Sequence, residues 1–251
     1  MCIRDRVYAV LERLVARGSA LVLGVSADLV ERMRVLGARR TGLAVVPAPP
    51  AREATRERHE VRDALGVEPH TALGVVVARL APQKGLDTLL DAHRCLRDDA
   101  EVDLLTVVAG DGPLHDELAT RIHAEKLPVR LLGRRTDVPD LLAAADVVVS
   151  SAVWEGQPVG LQEALHAGSA IVATDVGGTA AVVGDAAILV PPAEPVSLSR
   201  AIREVVLHGA VRDDLRSKSV ERAGHLPTEA DALAAALGAY RSVLPRGLLG
   251  A

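Results

Sequence analysis

Apolar residues recur along this chain in two rhythms. From Val7 to Arg17 they fall at helical spacing, with Val7, Val10, Leu11, Leu14 and Val15 on one side. The continuous run "ALVLGVS", Ala20 to Ser26, predicts a buried strand. Ser26 is placed to cap the helix "ADLVERMRVLGA", and Gly37 to end it. "LAVVPAP" predicts a second short strand. From Pro47 to about Thr55 the pattern stops in a proline-rich, then charged stretch, which reads as a linker.

Beyond the linker, strand and helix patterns alternate. Strands are predicted at Leu73 to Ala78, Leu104 to Ala109, Val129 to Leu132, Asp146 to Ser150, Ala170 to Thr174 and Ala187 to Val190. Helices are predicted around Leu86 to Leu96, Leu114 to His123, Asp137 to Ala144 and Val159 to His166. "PAEPVSLSRAIREVVLHG" and "TEADALAAALGAYRSVL" read as late helices. Leu73 to Ala78 is continuously apolar, as strands covered on both faces are. Such alternation predicts an α/β fold, a Rossmann-like parallel sheet with helices on both faces. Residues 7–50 then form one unit and 51–226 another. Residues 227–251 form a last helix that packs back on 7–50.

Composition narrows the picture. The 251 residues include no phenylalanine, and Trp154 is the only tryptophan, so the core is aliphatic. A formal charge of -4 supplies no basic field of the kind that tracks nucleic acid. No apolar run reaches the roughly 18 residues of a spanning helix. Cys2 and Cys95 show no metal spacing and suggest a reduced compartment. These features predict a cytoplasmic location, at most peripheral to the inner face of a membrane.

In an open parallel sheet, ligands bind at the carboxyl ends of the strands. The loops there are "RLAPQKG", "GDGPLHD", "GRRTDVPD", "SAVWEGQPVG" and "DVGGT". None completes a dinucleotide fingerprint or a Walker-type phosphate loop. In the first, Lys84 sits near a helix start, the unfavourable end of the dipole for a cation; a bound anion reverses that sign. Arg79 can fork two oxygens and Lys84 offers a point charge. Two solvated surface charges are the plainer reading of that loop. In "WEGQPVGLQEALHAG", Glu155 and Glu163 stand eight residues apart. Glu163 is expected in the first turn of a helix, where a carboxylate is favoured in any case. Both acids are expected to face one crevice and to accept sugar hydroxyls. A glycosidase acid and nucleophile would also suit such a pair, but hydrolysis needs no basic Arg79/Lys84 loop on the same edge.

"EGQPVGLQEALHAG" resembles the Glu-x7-Glu motif of retaining GT-B glycosyltransferases, family 4 in particular. "VVARLAPQKGLDTLLDA", "VVAGDGPL", "LLGRRTDVPDLLAAADVVVSS" and "AIVATDVGGTAAVVGDAAILVPP" follow the family pattern in order and spacing. The resemblance covers about Ala72 to Arg203, and more loosely Val7 to Pro47 and the last helix. It implies a donor-binding domain for a nucleoside-diphosphate sugar, with the hexose moved to an acceptor hydroxyl. The acceptor would be a sugar, a lipid-linked sugar or a small molecule. Arg79 and Lys84 would bind the diphosphate and stabilise the charge that grows on it, without a metal or cofactor. Glu163 would accept the ribose hydroxyls, and Glu155 would lie by the donor sugar as a catalytic residue. Backbone at Gln157, Val159, Gly160 and Leu161 would approach sugar and phosphates. Gly133, Arg134, Asp137 and Val138 would frame the base, and Gly110 and Gly112 would keep their loop low. Gly177 and Gly178 read as a structural turn.

This chain departs from the family in several places. Pro158 stands where many members carry glycine, and Ala170 replaces a frequent proline. The acceptor-side domain of the family is represented by residues 7–50 alone. His115, His123 and His166 stand in the wrong context to replace its catalytic histidine. "MCIRDR" resembles the translation of a transposon-end sequencing adapter. The expectation is therefore that residues 1–6 are an artefact and that this chain, taken alone, is inactive in transfer. A non-catalytic nucleotide-sugar binding module and a GT-B nucleotide-sugar epimerase are the alternatives.

Overall fold

The computed structural model describes residues 3–244. Met1, Cys2 and residues 245–251 lie outside the described residues, so part of the adapter reading and the end of the last predicted segment fall there. The chain separates into two compact units. One joins the residues up to Ala48 to those from Leu226 onward; the other is Pro49–His225.

The first unit contains α1 (Ile3–Gly18), β1 (Val22–Gly24), α2 (Ala27–Val35), β2 (Thr41–Leu43) and the last helix of the chain, Glu229–Val243. β1 and β2 pair in parallel, Val22 with Thr41 and Gly24 with Leu43. The second strand is thus "TGL" rather than the predicted "LAVV". β1 offers only three residues, and the ladder closes with the Ala44 N–H on Gly24 O at 2.8 Å. Ser26 does occupy the N-cap position of α2, but its side chain makes no capping bond, and its hydroxyl is buried without a partner among the described residues. Within this unit, Arg40 donates to Ser242 O at 3.0 Å, and the Ala48 N–H donates to Pro227 O at 2.8 Å.

The second unit runs α3 (Arg58–Ala64), β3 (Ala72–Val77), α4 (Leu86–Leu96), β4 (Leu104–Ala109), α5 (His115–Glu125), β5 (Val129–Gly133), α6 (Val138–Ala144) and β6 (Val147–Ser150). It continues with α7 (Val159–His166), β7 (Ile171–Thr174), α8 (Thr179–Val183), β8 (Ala187–Val190), α9 (Pro195–Leu207) and α10 (Gly209–Ala223); the helix at Glu229–Val243 is α11. The sheet has six parallel strands in the order β5-β4-β3-β6-β7-β8. β4 is buried at every position, and α4 turns Leu86, Leu89, Leu90, His93 and Leu96 onto the core. That is the i, i+3, i+4, i+7 face of a helix lying on a sheet. α9 packs on α4, and α10 on α7.

Three polar groups of the second unit are satisfied locally. His93 on α4 meets the Thr106 hydroxyl on β4 at 2.9 Å. Burial lowers its pKa to about 4, so the ring is neutral. At the start of β6, Asp146 binds Arg58 at 2.6 Å, Arg62 at 2.9 Å and the Leu73 N–H at 2.9 Å. Asp140 accepts the Thr55 N–H at 2.6 Å, which fixes the end of the linker stretch.

The strand order decides where a ligand fits. The chain builds β3, β4 and β5 outward in one direction, then returns to place β6 on the other side of β3. The carboxyl ends of β3 and β6 therefore diverge, and the loops leaving them open a crevice.

Candidate functional site

That crevice is lined by Ala78, Lys84, Ser151, Glu155, Gly160 and Leu161 among others. Two loops form it. After β3, the chain passes Arg79 and makes a 3-10 turn at Pro82–Lys84. Gly85 then enters α4 with φ at +57°. A Cβ at Gly85 would stand 2.1 Å from Ser151 O, so only glycine lets the two loops approach.

Three bonds lace them together. Ser151 Oγ donates to Lys84 O at 3.0 Å, the Val153 N–H to Gln83 O at 2.9 Å, and Gln83 Nε2 to Trp154 O at 3.1 Å. From below, the Gly178 N–H holds Glu155 O at 3.1 Å.

The outcome is that Lys84 Nζ reaches Glu155 Oε1 and forms an ion pair. Glu155 is only 6% exposed. A buried carboxylate is costly unless paired, and Lys84 is its pair. The cation placed on the unfavourable side of the α4 dipole is thus already neutralised by a protein carboxylate, which the sequence reading did not anticipate. Arg79, by contrast, is exposed and its side chain has no hydrogen-bond or ion-pair partner among the described residues.

α7 points its amino end at the same crevice, with Gly160 and Leu161 in the lining. Its N-cap position is Pro158, without a side-chain cap, and its first turn carries no acid. The positive end of the helix is therefore available to an anion. Glu163 is the fifth residue of α7 and lies in its second turn, not the first, because the helix begins only at Val159. There it lines a shallow neighbouring concavity with Arg52, Val138, Pro139 and Leu142. Glu163 stands roughly 4.5 Å along the helix axis from Gly160, which lines the crevice beside Glu155.

The remaining candidate residues line neither concavity. Gly110 and Gly133 meet through the Gly110 N–H on Gly133 O at 2.8 Å. Gly110 lies so close to the chain leaving β3 that a Cβ there would stand 1.9 Å from Ala78 O. Gly112 lies on Leu80 in the same manner. Asp137 occupies the N-cap position of α6, but Arg135 takes its carboxylate at 2.8 and 2.6 Å. Those bonds hold the Asp137 carboxyl below its usual range. Arg134 is exposed, Val159 is exposed, and Gln157 is half-buried.

Among the described residues no group of three or more His, Cys, Asp or Glu is placed to hold a metal ion, and no helix is long and apolar enough to cross a membrane. Sequence reasoning missed Ser151, Gln83 and Arg135. Of these only Arg135 had a local signal, a guanidinium two residues before an acid.

Three comparisons bear on this arrangement. The family described as "Glycosyl transferases group 1" matches residues 72–208. The chain is 30% identical over 118 residues to the UDP-Gal:alpha-D-GlcNAc-diphosphoundecaprenol alpha-1,3-galactosyltransferase of Escherichia coli, across 45% of this chain and 30% of that protein. It is 31% identical over 182 residues to the lipopolysaccharide glucosyltransferase WaaG of Escherichia coli K12, across 70% of this chain and 46% of WaaG. The chain therefore spans less than half of either protein. Among solved structures, the Anabaena protein HepE in complex with UDP-glucose superposes with a TM-score of 0.78 at 22% identity, covering 93% of this chain and 66% of that one. The likeness shows a shared fold, the parallel sheet and flanking helices of GT-B glycosyltransferases.

Proposed function

The chain belongs to the group 1 glycosyl transferases, and from that premise we propose that its Pro49–His225 unit binds the donor of a retaining family 4 enzyme, a nucleoside-diphosphate hexose. The observation that carries this reading is the Lys84–Glu155 pair at the divergence of β3 and β6, beside the uncapped start of α7. A cation, a helix amino end and a carboxylate suit a phosphate chain joined to a polyol.

In this reading the diphosphate displaces Glu155 from Lys84. The exposed Arg79 side chain folds onto the same phosphates. Glu155, released, accepts hydroxyls of the hexose. Glu163, beside Val138, receives the nucleoside, with the ribose hydroxyls on the carboxylate. The anomeric C–O bond breaks and its electron pair leaves with the diphosphate. The acceptor oxygen bonds to the same carbon on the same face as it passes its proton to the departing diphosphate oxygen. Lys84, Arg79 and the α7 dipole meet the growing charge, and no step is routed through a metal ion. The acceptor in this reading is a hydroxyl of a sugar, a lipid-linked sugar or a small molecule, and a cytoplasmic protein, peripheral at most to the inner membrane face, is consistent with it.

A thermal-shift panel tests the donor class. UDP, GDP and ADP, each with and without a hexose, are added to the purified chain. One nucleotide and its conjugate should raise the unfolding temperature. No response to any of the six would overturn the reading.

A further inference from the structure

α7 begins without a side-chain cap or an acid, yet something fixes its start. Gln162 Nε2 donates to Gln157 Oε1 at 3.1 Å. Gln157 immediately precedes the N-cap position and Gln162 is the fourth residue of the helix. These are the two positions that apolar side chains occupy in a hydrophobic staple, where they set the angle at which the chain joins the helix. Here the staple is made of amides.

An amide staple is the more costly choice. Gln162 is 3% exposed, and its Oε1 is buried with no partner among the described residues. Two apolar side chains would close the same gap without stranding an acceptor. What the amides add is direction: a hydrogen bond fixes the orientation of Gln157, whereas apolar contact leaves it to slide. The segment so fixed is short. Two residues before Gln157 stands Glu155 on Lys84, and three after it stands Gly160, both lining the crevice.

We infer that Gln162 is a positioning residue for the donor sugar: through Gln157 it sets the turn that carries Glu155 and the first N–H groups of α7, without touching the donor itself. The inference rests on the donor-site reading above. It predicts selectivity between two ligands, because the nucleotide and its phosphates are held by Arg79, Lys84 and Glu163 as well as by the α7 start, whereas the hexose is held by the turn alone.

The test uses Gln162→Leu, Gln157→Leu and the double variant, which rebuilds the staple in apolar form; Gln162→Met is a second single variant should Gln162→Leu fail to fold. Thermal unfolding is measured, and calorimetry follows binding of whichever of UDP, GDP and ADP the wild type prefers, and of its glucose conjugate. The double variant should unfold at or above the wild-type temperature and lose no more than roughly twofold in affinity for the free nucleotide. Its affinity for the conjugate should drop roughly tenfold. Gln162→Leu should lose about as much as the double, because each removes the Gln162–Gln157 bond. A double variant that binds the conjugate as well as wild type overturns the inference alone. Equal losses for nucleotide and conjugate also overturn it, since they mark a purely structural role. A wild type that binds none of the nucleotides overturns the donor-site reading beneath it.

Discussion

Lys84 and Glu155, 71 residues apart in sequence, neutralise each other at the mouth of the β3–β6 crevice. The pair makes two groups compete for one cation: the protein's own carboxylate and an arriving phosphate. Glu155→Gln removes the competitor but keeps the shape. It should tighten binding of the free nucleoside diphosphate by roughly three- to tenfold, the range of a modest ion pair. The same variant should weaken the sugar conjugate relative to the free nucleotide. Titration of both ligands into one preparation checks the two directions together; a uniform loss of affinity would show that Glu155 does not compete for Lys84.

Gly85 is where the two loops touch. Alanine there needs φ at +57° and a Cβ 2.1 Å from Ser151 O. Gly85→Ala should cost roughly 2–4 kcal/mol of stability, the range for strain plus a backbone clash. Nucleotide affinity should fall with it, because Lys84 is the neighbouring residue. Denaturant unfolding and calorimetry on the variant measure the two effects; wild-type stability would mean the loops can part without cost.

The core histidine gives a pH signature. His93 has its pKa lowered to about 4 by burial, against about 6.5 in the unfolded chain. The unfolded state therefore takes up a proton first. Stability from the neutral ring is fully present above pH 6.5 and is lost as pH falls toward 4, by an amount on the order of 3 kcal/mol. Urea midpoints between pH 7 and 4.5 should drop for the wild type and drop less for His93→Gln. Parallel curves for the two proteins would contradict the assignment.

The Asp146 cluster acts lower on the pH scale. Burial works against its charge, but the Leu73 N–H, Arg58 and Arg62 outweigh that and hold the carboxyl below the usual carboxylate range. Its stabilisation is present above the unfolded value near 3.9 and is lost as pH falls through the folded one. Asp146→Asn leaves Arg58 and Arg62 without their carboxylate. It should cost roughly 3 kcal/mol at pH 7 while sparing nucleotide affinity in the folded fraction. Thermal melts paired with calorimetry separate the two readouts, and an unchanged melting temperature would contradict the role given to the cluster.

Hydrophobic patterning places α4 at Leu86–Leu96 and β4 at Leu104–Ala109, which are their observed bounds. Both elements are buried along a regular face, and burial is what the pattern reports. α3 and α10 escape it. α3 buries only Val61 and Arg62, and α10 only Leu215 and Ser219, so their sequences read as charged surface. α8 is five residues long and hides in a glycine turn. At the site, residue types and loop positions are legible: Arg79, Lys84 and Glu155 lie in loops that follow strands, and Glu163 lies on the helix after the last of them. Their relations are not. Which cation meets Glu155 depends on Gly85 and Ser151 bringing two distant loops together. Which concavity Glu163 faces depends on where α7 starts. The Gln157–Gln162 staple shows no local sign, since two glutamines five apart are ordinary on a surface helix.

The claim that β3 and β6 hold a donor diphosphate is tested most directly by calorimetry on Arg79→Ala and Lys84→Ala. Each variant is titrated with the nucleoside diphosphate that the wild type binds best. A charge-assisted contact is worth roughly 1.5–3 kcal/mol, so each should weaken affinity by about 10- to 150-fold. Lys84→Ala should also lose stability, because Glu155 is left buried and unpaired, whereas the exposed Arg79 should cost little. Unchanged nucleotide affinity in both folded variants would contradict the account.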